Sequence, residues 1–238
     1  NIAYTELGYV QDPYCIRCTP KIYGTLAEFI NFAEHVLLNE VNSITDNPIL
    51  LFQNEQKSIS VGHFHGQPIA FISDSLSIYL STIGGVSERR IFRLLDPNLN
   101  RGLPAFLVKK HGLNTGLMIT QYVTAALHSM NSILSTPTSI YSVPTSANQE
   151  DWNSMGANSV IKLWRILDSL RRIVATEILC ACQAIMLRTG GDISLLGRKT
   201  RIVVENILNR VKLPIEHDRY FHTDIEKIEM MLGEPPPV

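Results

Sequence analysis

The stretch from Met155 to Arg188 constrains the chain more than any other. It reads as one long helix with apolar residues on more than one face, and a helix apolar nearly all round belongs inside a large assembly. Its neighbours have the same character. From Pro20 to Asn42 apolar residues recur at Ile22, Leu26, Ile30, Ala33, Leu37 and Val41, a helical period that Gly24 weakens only modestly. Gly66-Gln67-Pro68 opens another helix through Ile69, Ile72, Leu76, Tyr79, Leu80 and Ile83. That helix is expected to bend or break at Gly84-Gly85, continue to Leu95 and close at Asp96-Pro97. A further helix is predicted over Thr115–Leu134, with shorter amphipathic ones over Leu195–Val211 and Thr223–Leu232. Ile49–Phe52 and Ser58–Val61 flank a polar turn at Gln53–Lys57 and suit a small hairpin. Pro235–Pro237 reads as a frayed end. The predicted class is all-α, a bundle of long helices, and 238 residues suffice for a single helical domain spanning 1–238.

A formal net charge of −1 gives no reason to expect a nucleic acid or an anionic membrane as partner. No apolar run reads as long enough to span a membrane, and no signal-peptide pattern opens the chain, so a cytoplasmic location is expected. Cys15 and Cys18 form a C-x-x-C, but Cys180 and Cys182 are two apart on a helix and point to nearly opposite sides. That is poor geometry for a four-thiolate site, and free thiols in a reducing compartment are the better reading. His63 and His65 likewise lack a third ligand at metal spacing, so no metal is expected. Ser154 has neither a nucleophile elbow nor a His–Asp pair to activate it.

Gln11-Asp12-Pro13-Tyr14-Cys15-Ile16-Arg17-Cys18 is chemically denser. Asp12-Pro13 signals a helix start, with the carboxylate as cap and proline at the first helical position. Tyr14 and Arg17, three apart, then share a face near the positive end of that helix. A guanidinium there offers a planar fork to a carboxylate, and a nearby cation favours a phenolate. On spacing alone the same residues suit a surface ion pair and a core tyrosine. Met118 and Phe64 suit core packing equally well, and Glu150-Asp151 suits a solvated cap of the longest helix.

Four further blocks change the balance: Asn42-Ser43-Ile44-Thr45-Asp46-Asn47-Pro48, Gly62-His63-Phe64-His65-Gly66-Gln67-Pro68, Gly112-Leu113-Asn114-Thr115-Gly116-Leu117-Met118-Ile119, and Ala147-Asn148-Gln149-Glu150-Asp151-Trp152-Asn153-Ser154-Met155-Gly156. With the opening octet, and in this order, they resemble the C-terminal half of the histidine ammonia-lyases, within the aromatic amino acid lyase family. The resemblance runs from about Val10 to the C-terminal tail.

The resemblance implies a helical lyase fold and elimination of ammonia through a methylidene-imidazolone electrophile, formed autocatalytically from Ala-Ser-Gly. It implies that Arg17 holds the substrate α-carboxylate, that Tyr14 shares in proton transfer or tunes the electrophile, and that Gln11 hydrogen-bonds near the prosthetic group. Glu150 would contact the imidazole or the departing amine, Phe64 would pack against the group, and Met118 would lie beside the substrate side chain. Two places depart from the family pattern. His63 stands where asparagine is usual, and Trp152-Asn153 where histidine lyases carry His-Val. No Ala-Ser-Gly occurs in the chain. The expected partner is therefore an N-terminal half that supplies it, within a homo-oligomer of tetrameric type acting on an amino acid. An opening at Asn1, with a helix start close behind, fits a fragment, a processed product or one chain of a split protein. The alternatives are a tyrosine or phenylalanine lyase, an aminomutase, or a non-catalytic helical assembly subunit.

Overall fold

The computed structural model describes residues 10–52 and 57–233. The turn at 53–56 and the Pro235–Pro237 end lie outside the described residues. The chain enters through a single helical turn, α1 (Tyr14–Arg17). Pro13 occupies its N-cap rather than its first helical position, and the Asp12 carboxylate is engaged by Arg101. Arg17 thus falls in the last turn, so the positive helix end does not reinforce it as the sequence led one to expect.

The helix α2 (Thr19–Val41) follows the period read from Ile22 to Val41. Asn42 and Ser43 end it by turning their side chains back onto the carbonyls of Leu38 and Asn39, the local competition that makes such residues terminators. β1 (Ile49–Leu51) and β2 (Lys57–Ile59) form the expected hairpin, antiparallel, with Ile49 opposite Ile59.

The helix α3 (Gln67–Leu95) is continuous, so Gly84-Gly85 does not interrupt it. A Cβ on Gly85 would stand 2.7 Å from His128 Cε1 of α4 (Met118–Leu134). The glycine serves a close helix approach rather than a break. By length and composition α3 is apolar enough to cross a membrane, which corrects the sequence reading. It nevertheless buries Ser73, Asp74, Ser77, Ser81, Ser87 and Glu88, as a helix packed within protein can. The longest helix, α5 (Gly156–Thr189), ends where Gly190 and Gly191 take φ of +63° and +92°. The helices α6 (Arg198–Leu208) and α7 (His222–Met231) complete an all-α chain with one hairpin among the described residues.

Contacts divide the chain into two compact units. One takes the chain up to Pro20, Thr82–Met130 and Asp168 onward. Its core joins Ile91 and Leu95 of α3, Ile173 and Leu179 of α5, Val204 and Ile207 of α6, and Ile225 and Ile228 of α7. Within that core the fully buried Gln183 amide donates to the carbonyls of Leu107 (2.7 Å) and Ile215 (3.2 Å) and accepts from Ile215 N (2.8 Å). A buried amide satisfied in this way ties α5 to two irregular segments at fixed geometry. Arg90 forks onto Glu177 in the same unit, with Ser87 donating to the same carboxylate.

The other unit takes Lys21–Ser81 and Asn131–Leu167. Here the Phe29 and Tyr79 rings lie 5.0 Å apart, and Ala33, Ala70 and Ile72 are buried. Phe32, Leu38, Phe71, Ile161 and Trp164 remain exposed. The long helix is therefore buried in its second half, as expected, but leaves apolar side chains uncovered in its first.

Candidate active site

In the first unit α1 brings Tyr14 and Arg17 together as their spacing predicts. The guanidinium lies over the phenol ring, 4.5 Å from its centroid. That cation–π contact restrains a side chain that is otherwise exposed. Arg17 has no carboxylate partner among the described residues. Tyr14 is 68% exposed and is not a core residue. Gln11, two residues before the N-cap, is exposed as well.

Met118, in the same unit, is half-buried and opens α4. The block before it explains why the helix begins there and not at Thr115. Gly116 takes φ +52°, and a Cβ on it would lie 2.5 Å from the Phe106 carbonyl oxygen, so only glycine fits. The free donors ahead of the helix are met by a residue far along the chain. Asp218 accepts from Thr115 N (2.8 Å), Gly116 N (2.7 Å) and the Thr115 hydroxyl (2.9 Å). The Thr115 backbone bond, ahead of the opposing effect of burial, holds the Asp218 carboxyl below the usual range. Sequence reasoning missed Asp218, because its partners lie about a hundred residues away and no local pattern marks it.

The second unit holds Phe64 and Glu150. Phe64 is 57% exposed, on the Gly62–Gly66 loop, and so is not core. His65 Nε2 lies 3.0 Å from the Trp152 carbonyl oxygen, which ties this loop to the segment carrying Glu150. Gly66 packs against the start of α5, with Gly66 O 3.3 Å from where a Cβ on Gly156 would stand. His63 is exposed and, with Glu40, Ile44, His65 and Pro68, lines a cavity of about 470 Å³.

Glu150 is exposed, on the loop between α4 and α5, and caps nothing. Its backbone bridges to Thr145, and the Thr145 hydroxyl donates to Glu150 Oε2 at 2.5 Å. The Thr145 and then the Ser146 hydroxyl hold the Glu150 carboxyl below its ordinary range. The loop itself is anchored by Asp74 of α3. That carboxylate accepts from Thr138 N and Ser139 N, each at 2.8 Å, and pairs with Lys162 Nζ at 2.9 Å. Lys162 donates in turn to the Thr136 carbonyl.

The cysteines play no part in this set. All four are free, and burial pushes the thiols of Cys180 and Cys182 up to about 12 and about 11. Among the described residues no three His, Cys, Asp or Glu side chains cluster as metal ligands would.

The arrangement is a long-helix bundle that leaves a guanidinium, a phenol and a carboxylate exposed instead of spending them on packing. The model of the aromatic amino acid lyase family matches residues 2–209, and the chain belongs to that family. Over 237 residues it is 43% identical to the histidine ammonia-lyase of Streptococcus pyogenes, covering 99% of this chain and 45% of that protein. The crystal structure of histidine ammonia-lyase from Trypanosoma cruzi superposes with a TM-score of 0.86 at 41% identity, over 93% of this chain and 43% of that one. The phenylalanine aminomutase of Pantoea agglomerans gives 0.89 at 32% identity, over 98% and 44%. The chain spans about half the length of the curated relatives it matches.

The family depends in general on a methylidene-imidazolone group. Gln11 and Tyr14 in the first unit and Phe64 in the second are exposed, with side chains free to meet a group outside their own unit's core.

Proposed function

We propose that this chain is one part of an ammonia-lyase that converts L-histidine to urocanate, and that it works only with an N-terminal half supplying the electrophile. The observation that carries the reading is Arg17, an exposed guanidinium braced on Tyr14 with no carboxylate partner among the described residues. Such a fork suits the α-carboxylate of an amino acid, bidentate and in plane. Glu150, kept ionised by Thr145, suits the N–H of an imidazole, where a charge-assisted bond exceeds a neutral one. Tyr14 accepts or returns a proton at its phenolic oxygen, with the Arg17 cation over its ring. Met118 flanks the substrate side chain, while Gln11 and Phe64 hold and cover the prosthetic group. When bound, that group supplies the electrophile that makes the amine a good leaving group.

The uncovered Ile161, Trp164, Phe32 and Phe71 support assembly into a homo-oligomer, a tetramer by resemblance. Four free cysteines fit a cytoplasmic setting.

A tyrosine- or phenylalanine-directed lyase or an aminomutase is the second reading. It is favoured by Trp152-Asn153 and by an aminomutase neighbour that superposes as well as the histidine lyase. The test is ammonia release from histidine, tyrosine and phenylalanine by the chain assembled with its N-terminal half, for wild type and Glu150→Gln. Urocanate formation that collapses in the variant while melting temperature holds supports histidine. No urocanate from the wild type ends that reading, and activity on tyrosine or phenylalanine that survives or rises in the variant replaces it.

A further inference from the structure

We propose that Asn153 is the positioning residue of Glu150, acting through the Thr145 hydroxyl; the catalytic consequence rests on the role assigned to Glu150 above. Ser146, Ala147 and Asn148, the residues between Thr145 and Gln149, all take left-handed backbone, with φ of +50°, +50° and +72°. None is glycine, so each costs energy, and such a turn persists only where its surroundings hold it. Asn153 helps to hold it, beside the backbone bonds from Thr145 N to Glu150 O (2.9 Å) and from Asn148 N to Thr145 O (3.0 Å). Its amide nitrogen faces three acceptors: the Val143 carbonyl at 2.7 Å, the Thr145 hydroxyl at 3.1 Å and the Glu150 carbonyl at 3.3 Å. Two of these are carbonyl oxygens, which accept and never donate, so the NH₂ and not the amide oxygen must face the turn. The Asn153 backbone N–H is held as well, donating to Ser142 Oγ at 2.5 Å.

The consequence for Glu150 follows from the hydroxyl's single proton. Thr145 Oγ1 accepts from the Asn153 amide, and its own proton is then free to point only away from that donor, to Glu150 Oε2 at 2.5 Å. Asn153 thereby braces the turn and sets the direction of the Thr145 hydroxyl, the first of the two that bear on the carboxylate. Thr145 and Ser146 supply the hydroxyls that bear on Glu150, and Asp151 is the ionisable group next to it in sequence.

The decisive variants are Asn153→Val, Thr145→Val, Thr145→Ser and the Asn153→Val/Thr145→Val double, each in the assembled enzyme. Valine removes the side-chain amide and with it the bonds to Val143, Thr145 and Glu150. Two quantities are read: kcat for histidine, and the titration of Glu150 followed by isotope-edited infrared spectroscopy. Asn153→Val and Thr145→Val should each lower kcat by roughly tenfold to a hundredfold, the range for a bond to a charged group. KM and melting temperature should change little. The double variant should be no worse than either single one, and Thr145→Ser should restore the rate. Glu150 should titrate at higher pH in both valine variants. Additive losses, or a Glu150 titration unmoved by Asn153→Val, overturn the proposal. A shifted titration with kcat insensitive to Glu150→Gln leaves Asn153 as the positioning residue and removes Glu150 from the chemistry instead.

Discussion

Replacing Lys162 by methionine leaves the Asp74 carboxylate buried without its ammonium partner. The two side chains are 4% and 15% exposed, so water screens the pair little. Breaking a buried pair from one side costs about 3–5 kcal/mol, because a charge is left uncompensated. Asp74 keeps the N–H groups of Thr138 and Ser139, both at 2.8 Å, which places the loss near the lower end, about 3 kcal/mol. For a chain of this size that lowers Tm by about 6–12 °C. The pH dependence has a definite sign. Burial alone would raise the Asp74 carboxyl, but the Ser139 backbone bond and Lys162 outweigh it and hold the group below its ordinary range. A depressed folded value stabilises above the unfolded value and ceases to do so as pH falls through the folded one. Without Lys162 the folded value rises, so acid unfolding should begin at higher pH. Urea denaturation followed by circular dichroism, repeated from neutral into acid pH, reads both effects. Asp74→Leu with Lys162→Met should recover most of the loss, since replacing a whole buried pair by apolar groups is often neutral. A Lys162→Met protein that loses under about 1 kcal/mol, with its acid midpoint unmoved, would refute the reasoning.

Gly116→Ala should cost at least about 2 kcal/mol, because alanine meets both a positive φ and the Phe106 carbonyl oxygen; an unchanged urea midpoint would contradict this. Arg17→Lys keeps the charge but loses the fork and the stacking on Tyr14, so kcat/KM should fall by about 1.5–3 kcal/mol equivalent while Tm barely moves. Thermal stability that drops with kinetics unchanged would make Arg17 structural. Cys180 and Cys182, with thiols pushed up to about 12 and about 11, should resist alkylation at pH 8 until the protein unfolds, as read by mass spectrometry with and without urea.

The helices were legible because their apolar residues recur at the helical period: α2 runs within a residue or so of the stretch read from Pro20 to Asn42, although only Ala33 of it is buried, and α5 within one of Met155–Arg188. Errors fell where a distant group overrode a local signal. Asp12-Pro13 has every mark of a capped helix start, yet Arg101 engages the carboxylate. Gly84-Gly85 looks like a break until His128 packs against Gly85. The Thr115 start of α4 fails because Gly116 must turn the wrong way for a helix. Of the site, spacing showed that Tyr14 and Arg17 share a face, and motif order supplied Gln11, Phe64, Met118 and Glu150. Asp218 and the Asp74–Lys162 anchor were invisible, since their partners are scores of residues distant. Asn153 was visible only as a departure from pattern, because a side chain that staples a loop has no period.

The Asp218 contact also fixes an order of events during synthesis. The donors ahead of α4 appear at Thr115 and Gly116, but the carboxylate that satisfies them follows 103 and 102 residues later. The core around α5 also waits, though less long, because Val204, Ile207, Ile215, Ile225 and Ile228 all follow that helix in the chain. A ribosome making this protein at about 5–20 residues per second exposes the Met118 end of α4 for several seconds before it can be closed. Until then the first unit has its long helices but not the residues that join them, so its assembly is completed only after the stretch up to Ile228 has emerged. A nascent chain stopped before Asp218 should therefore carry helical signal and remain open to protease around Thr115, while one extended past Ile228 should not.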